Sequence, residues 1–277
     1  MPFPIVHTGN ESCIQQIRSD LFFRVGSLEK RDQCNTGIVV LQNSVALIDY
    51  PAQSPAHEII DEAEKLTGLP VKHLIFTHPH SDHVDGIKKL QRNDISILAS
   101  KGAVEYLYHK GYFPPPVHRV FDRTEDFELD GRTLRFIIPE YTAHSPWDMM
   151  VGIPEAGVLF TGDLLALPKN MFLHTADLEG WIIAVERIIE SSWQYIARGH
   201  GSIIERSEAV ETLQYLLLLN QARLWQMRHH ESVSPDTVEN VDICLSPELA
   251  EIVKGLLMIS DARNVSRQIN QAHYSYE

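Results

Sequence analysis

The sequence is poor in cysteine, in positive charge and in long apolar runs, and each shortage removes a class of answer. Its three cysteines are Cys13, Cys34 and Cys244. An odd number without close spacing is no disulfide framework and points to a reducing, cytoplasmic setting. Lys and Arg total 24 against 37 Asp and Glu, a formal charge of −13. An acidic surface repels phosphate backbones and anionic lipid, so neither nucleic acid nor membrane is expected as a partner. No stretch approaches the ~18 apolar residues of a membrane span. The densest, residues 213–219, is interrupted by Gln214. The first eight residues hold Pro2 and Pro4 but no basic stretch before an apolar run, so no signal peptide is expected. A Gly-X-Ser-X-Gly elbow and a glycine-rich phosphate loop are also lacking.

What remains is an ordinary globular composition with one excess. Hydrophobic residues make up 44% of the 277 and charged residues 22%. A chain of this length buries roughly three quarters of its unfolded surface and folds without staples. Fourteen histidines are the excess, and they are unevenly spread.

Periodicity predicts strands at 21–25, 71–76, 95–99, 133–138 and 193–197. Hairpins are predicted from 37–41 with 45–48 and from 149–153 with 158–160. Helices are predicted at 54–66, 85–91, 103–109, 178–189, 208–228 and 247–258, with a polar linker at 232–241. Strands and helices alternate to about residue 205, and helices follow.

The informative segment is His78-Pro79-His80-Ser81-Asp82-His83, three imidazoles and a carboxylate within six residues. It follows a buried strand directly. Borderline divalent metals favour imidazole nitrogen and carboxylate oxygen. Three more segments sit just past apolar runs: His144 in Thr142-Ala143-His144-Ser145, Asp163 in Thr161-Gly162-Asp163, and His200 in Gly199-His200-Gly201. Sites in open α/β sheets gather at strand ends. Five histidines and two aspartates are too many for one ion and suit two.

These segments resemble the ligand motifs of the metallo-β-lactamase superfamily over about residues 20–205. The resemblance implies an α/β (α+β) fold, a four-layer αββα sandwich. Residues 1–205 would form the catalytic core and residues 206–277 a C-terminal helical extension packing on it. It implies two divalent ions, zinc first, with iron or manganese as alternatives. His78, His80 and His144 would hold one ion, and Asp82, His83 and His200 the other. Asp163 would bridge them. Asp49 matches the aspartate that braces the His78–His83 loop. Asp163 stands where some lactamases have cysteine, which points to the branch that includes hydroxyacylglutathione hydrolase. His80, not glutamate, at the second ligand place departs from the flavo-diiron oxidoreductases.

Two ions roughly 3.5–4 Å apart can share a water and lower its pKa toward about 7, giving hydroxide at neutral pH. Asp82 is then the candidate to orient that group and carry a proton to the leaving group. The expected activity is hydrolysis of a small-molecule thioester, lactone, β-lactam or related ester. The alternatives are a phosphodiesterase or nuclease, or a non-enzymatic metal-loaded protein. Candidate substrate contacts are Lys169, His174 and Trp147. A solvated loop position is the alternative for the first two, and core packing for Trp147. A homo-oligomer stays open.

Overall fold

The computed structural model describes residues 3–8, 12–26, 34–52, 58–90, 92–112, 116–166 and 171–229. The predicted linker at 232–241, the helix at 247–258, Cys244 and Lys169 lie outside them.

One eight-stranded sheet runs in chain order. Its strands are β1 (Ile5–Thr8), β2 (Cys13–Arg18), β3 (Leu21–Val25), β4 (Thr36–Val40), β5 (Val45–Ile48), β6 (Val71–Ile75), β7 (Ser96–Ser100) and β8 (Val117–Phe121). β1 to β5 are antiparallel; β5 to β8 are parallel. The crossovers carry α1 (Glu58–Thr67), the short α2 (Ser81–Val84) and α3 (Lys101–His109). The second sheet contains β9 (Glu125–Leu129), β10 (Arg132–Ile137), β11 (Met150–Ile153), β12 (Val158–Gly162), β13 (Tyr195–Arg198) and β14 (Ile204–Glu205). Its order is β14-β13-β12-β11-β10-β9. Between β12 and β13, its parallel pair, lies α4 (Leu178–Glu190); α5 (Ala209–His229) follows β14.

The period-2 alternation of a strand sends neighbours to opposite faces, and here both faces are apolar. In β5, Ala46 and Ile48 face the second sheet, where Phe136, Val151 and Phe160 meet them. Val45 and Leu47 face outward onto Ile59, Ile60 and Ala63 of α1. In β12, Val158 and Phe160 point between the sheets. Leu159 points outward to Trp181 and Val185 of α4 and Leu216 of α5. Three apolar clusters therefore separate four layers, helix, sheet, sheet and helix, as the sequence led us to expect.

The differences are local. β1, β2, β8, β9 and β14 were not predicted. The β9–β10 hairpin turns at Asp130-Gly131, with φ of 42° and 75°. An Asp-Gly pair between alternating segments is a strong hairpin signal. The predicted helix at 85–91 begins earlier, as α2, and continues as a 3₁₀ turn at Asp85–Lys89.

Candidate metal centre

Four loops at one edge of the sandwich converge. β6 ends at Ile75 and runs into His78, His80 and α2, which carries Asp82 and His83. From the second sheet, His144 follows β10, Asp163 follows β12 and His200 follows β13. Two groups of side chains result. The ligand atoms of His78, His80 and His144 all lie within 4.8 Å of one another, as do those of Asp82, His83, Asp163 and His200. Asp163 faces both groups. Its Oδ1 is 3.3 Å from His83 Nε2 and 3.6 Å from His200 Nε2, and its Oδ2 is 3.8 Å from His144 Nε2.

The backbone makes room for this convergence. A Cβ on Gly162, at φ 53°, would lie 2.5 Å from Thr77 Oγ1. Gly180, in the first turn of α4, lies against Thr142 O, which leaves no space for a side chain. Asp177 caps that helix, accepting from Glu179 N and Gly180 N at 3.0 Å each. Trp181 then reaches back, its Nε1 donating to Leu164 O at 2.7 Å and its ring 5.1 Å from that of His144. One helix N-terminus thus fixes two of the loops.

Hydrogen bonds set the ring tautomers. Asp49, at φ 62° just past β5, turns its carboxylate toward the end of β6. Its Oδ1 accepts from Thr77 N at 2.8 Å. Its Oδ2 accepts from Thr77 Oγ1 at 2.8 Å and from His83 Nδ1 at 2.9 Å. In the neutral ring the His83 proton is therefore on Nδ1, and the Nε2 lone pair faces the other side chains. Thr77 has given its one proton to Asp49, so it accepts from His78 Nδ1 at 3.1 Å, leaving His78 Nε2 bare. His78 Nε2 and His83 Nε2, with Asp163 Oδ1, are buried without a hydrogen-bond partner among the described residues. Such buried atoms are costly unless something else satisfies them. His80 Nδ1 and His144 Nε2 approach to 2.9 Å, and so do His200 Nε2 and Asp82 Oδ2. The donor set, imidazole nitrogen and carboxylate oxygen with inward lone pairs, fits divalent metal.

Charge divides the two groups. Burial, reinforced by the neighbouring imidazoles, holds His78 well below the ordinary histidine value. Burial likewise lowers His80, and it takes His144 to about 3. These rings are neutral at pH 7. In the other group burial works against both rings, but at His83 the Cys34 sulfur and then the carboxylates of Asp163, Asp82 and Asp49, and at His200 those of Asp163 and Asp82, outweigh it and raise both. Burial alone would raise Asp82 and Asp163, yet His83 and His200 pull both down, so both are ionised.

Asn35 was not anticipated. It accepts from Gly26 N, and its Nδ2 donates to Arg198 O at 2.9 Å and to Gly201 O at 2.7 Å. It thereby clasps the His200 loop to the first sheet. Cys34 is also close: with Asp49 and His83 it forms a third buried group within 4.8 Å. Burial pushes its thiol up to about 12, so it stays protonated and donates to Asn35 O at 3.2 Å. Trp147 is half-buried, 4.3 Å from the Tyr106 ring and 6.5 Å from that of His80. It therefore takes part in packing and also borders the centre. His174 sits 4.8 Å from the ring of Phe172, which in turn is 5.2 Å from that of His80.

The model of the metallo-β-lactamase superfamily matches residues 30–218. The chain is 26% identical over 206 residues to thioesterase pkgB of Emericella nidulans, covering 73% of this chain and 54% of the relative. It is 25% identical over 174 residues to a type 2 metallo-β-lactamase of Bacteroides fragilis, covering 60% and 69%. It is 28% identical over 149 residues to a hydroxyacylglutathione hydrolase of Rhizobium meliloti, covering 52% and 53%. The matched region spans a little over half of most of these relatives. The solved metallo-β-lactamase from Pontibacter korlensis superposes with a TM-score of 0.66 at 21% identity, covering 75% of this chain and 99% of that one. Fold, matched segment and converging histidines agree: the chain belongs to the metallo-β-lactamase superfamily.

Proposed function

We propose that this chain is a dinuclear metal-dependent hydrolase of small-molecule thioesters, lactones, β-lactams or related esters. His78, His80 and His144 would hold one divalent ion, and Asp82, His83 and His200 the other, with Asp163 shared between them. The observation that carries the reading is the position of Asp163, one carboxylate oxygen toward each group. Relatives named thioesterase, metallo-β-lactamase and hydroxyacylglutathione hydrolase support attack on an acyl carbon. Zinc is the ion we favour for this donor set, with iron or manganese next.

Bound there, two such ions would supply Lewis acidity toward the substrate oxygen and an activated water at neutral pH. The protein's own contribution is positional. Asp163 is buried, whereas the Asp82 side chain keeps 22% of its surface exposed. Asp82 is thus the carboxylate able to take a proton at Oδ2 and release it toward a departing group. Trp147 and the exposed Phe172 stand beside His80 as an apolar wall for the acyl part of the substrate. We assign the chemistry to residues 1–205, because all seven ligands lie there, and read residues 206–277 as a supporting extension. Within it, Tyr215, Leu216 and Leu219 of α5 pack on α4. No helix among the described residues is long and apolar enough to cross a membrane.

Elemental analysis of the unsupplemented protein, followed by a thioester, lactone, β-lactam and phosphodiester panel, tests the reading. About two equivalents of metal with acyl turnover is the expected result. Turnover confined to the phosphodiester would move the reaction class. Full loading with no turnover on any class would remove the enzyme reading.

A further inference from the structure

The tautomers of His78 and His83 are set through Asp49, but His80 has no such link among the described residues. Its outward nitrogen, Nε2, instead lies 3.1 Å from Thr175 Oγ1. Thr175 belongs to the segment between the Asp163 turn and α4. That hydroxyl is also 3.2 Å from the carbonyl of His144.

The two contacts leave one assignment. A carbonyl can only accept, so the single hydroxyl proton goes to His144 O. Toward His80 the Thr175 oxygen can then only accept, and it accepts the proton on Nε2. The opposite nitrogen, Nδ1, is left with its lone pair. It is this atom that stands 2.9 Å from His144 Nε2. The same hydroxyl therefore orients one ligand ring and ties it to the backbone of a second. The segment is held in register by Asp177 N, which donates to Ala143 O at 2.9 Å. Phe172 closes over the edge of the His80 ring from the same segment.

We propose that Thr175 is a positioning residue: it fixes His80 as the Nε2–H tautomer and, through His144, holds the three-histidine group in metal-binding geometry. This rests on the metal-centre reading above and adds a residue to it. Outer hydrogen-bond partners of metal-bound histidines commonly change metal affinity by about ten- to a hundredfold.

The test compares Thr175→Val, which keeps the shape and removes the hydroxyl, with Thr175→Ser, which keeps the hydroxyl. In the metal-free protein at neutral pH, imidazole ¹⁵N shifts report the His80 tautomer. Wild type and T175S should show a protonated Nε2, and T175V should show a mixture or the opposite form. Cobalt titration against a chelator should then show affinity at the three-histidine group weakened about ten- to a hundredfold in T175V and restored in T175S. Circular dichroism confirms that both variants are folded. If T175V misfolds, Thr175→Ala replaces it in both measurements. An unchanged tautomer, or affinity within twofold of wild type, would overturn the proposal. Neither readout needs turnover, so a fully loaded protein that hydrolyses nothing would count against the hydrolase reading and leave Thr175 in place.

Discussion

Asp163 and Gly199 share one volume: a Cβ on residue 199 would stand 2.2 Å from Asp163 Oδ1 and 2.9 Å from His83 Cε1. The chain after β13 can pass beside the Asp163 carboxylate only because residue 199 has no side chain. Gly199→Ala should displace Asp163 and cost about 1–3 kcal/mol through overpacking. Bound metal should fall below one equivalent per chain while circular dichroism stays native. Two equivalents in this variant would show that the carboxylate is dispensable to the site.

The two aspartates should separate by substitution. Asp163→Ala should lose one or both ions and all turnover without unfolding. Asp82→Asn should keep the ion at His78, His80 and His144 and lose roughly 10²–10⁴ in rate, the usual worth of positioned proton transfer. Metal analysis beside steady-state kinetics reads both. A near-wild-type rate in D82N would place the proton path elsewhere.

Loading should depend on pH differently at the two groups. His83 and His200 are raised, so without metal each holds a second proton to a higher pH than the rings of the other group do. A metal must displace those protons, and its apparent affinity there rises with pH until both rings are neutral. His78, His80 and His144 are lowered and already neutral, so affinity at their group is flat above about pH 6.5. Dialysis at falling pH should strip the His83 group before the three-histidine group, with calorimetry showing proton release when the His83 group is reloaded. Identical pH slopes for the two steps would contradict this division.

Asp49→Asn leaves one acceptor for the three donors that Asp49 now satisfies, Thr77 N, Thr77 Oγ1 and His83 Nδ1. We expect metal affinity at the His83 group to weaken about ten- to a hundredfold. The metal-free protein should lose about 1–3 kcal/mol for the unsatisfied donor. Chelator competition and denaturant unfolding measure the two effects.

The parts of this site that were legible in the sequence share a cause. His78, His80, Asp82 and His83 crowd one loop, and His144, Asp163 and His200 each end an apolar run. Density and position were both visible along the chain. Asn35, Thr77 and Thr175 act through two or three hydrogen bonds each, and nothing in their local sequence marks a threonine that faces a histidine 95 positions away. The fold divides the same way. β5 and β12 are buried on both faces and read as apolar runs, whereas β1 is exposed throughout and β9 alternates with solvent-facing acids. Cys34 is 49 positions from His83 along the chain and lies beside it, because β4 and β5 fold back on each other.

Asn35 clasps the His200 loop from the opposite sheet, and the proposed ligands divide the same way, four after β6 and three after strands of the second sheet. In mechanical terms the ions would act as rivets through both plates of the sandwich. Prising the plates apart at this edge would then have to break coordination bonds first. Stripping the metal should accordingly speed amide exchange at the ends of β6 and β13 together, as one hinge, while the far edge of the sandwich keeps its protection.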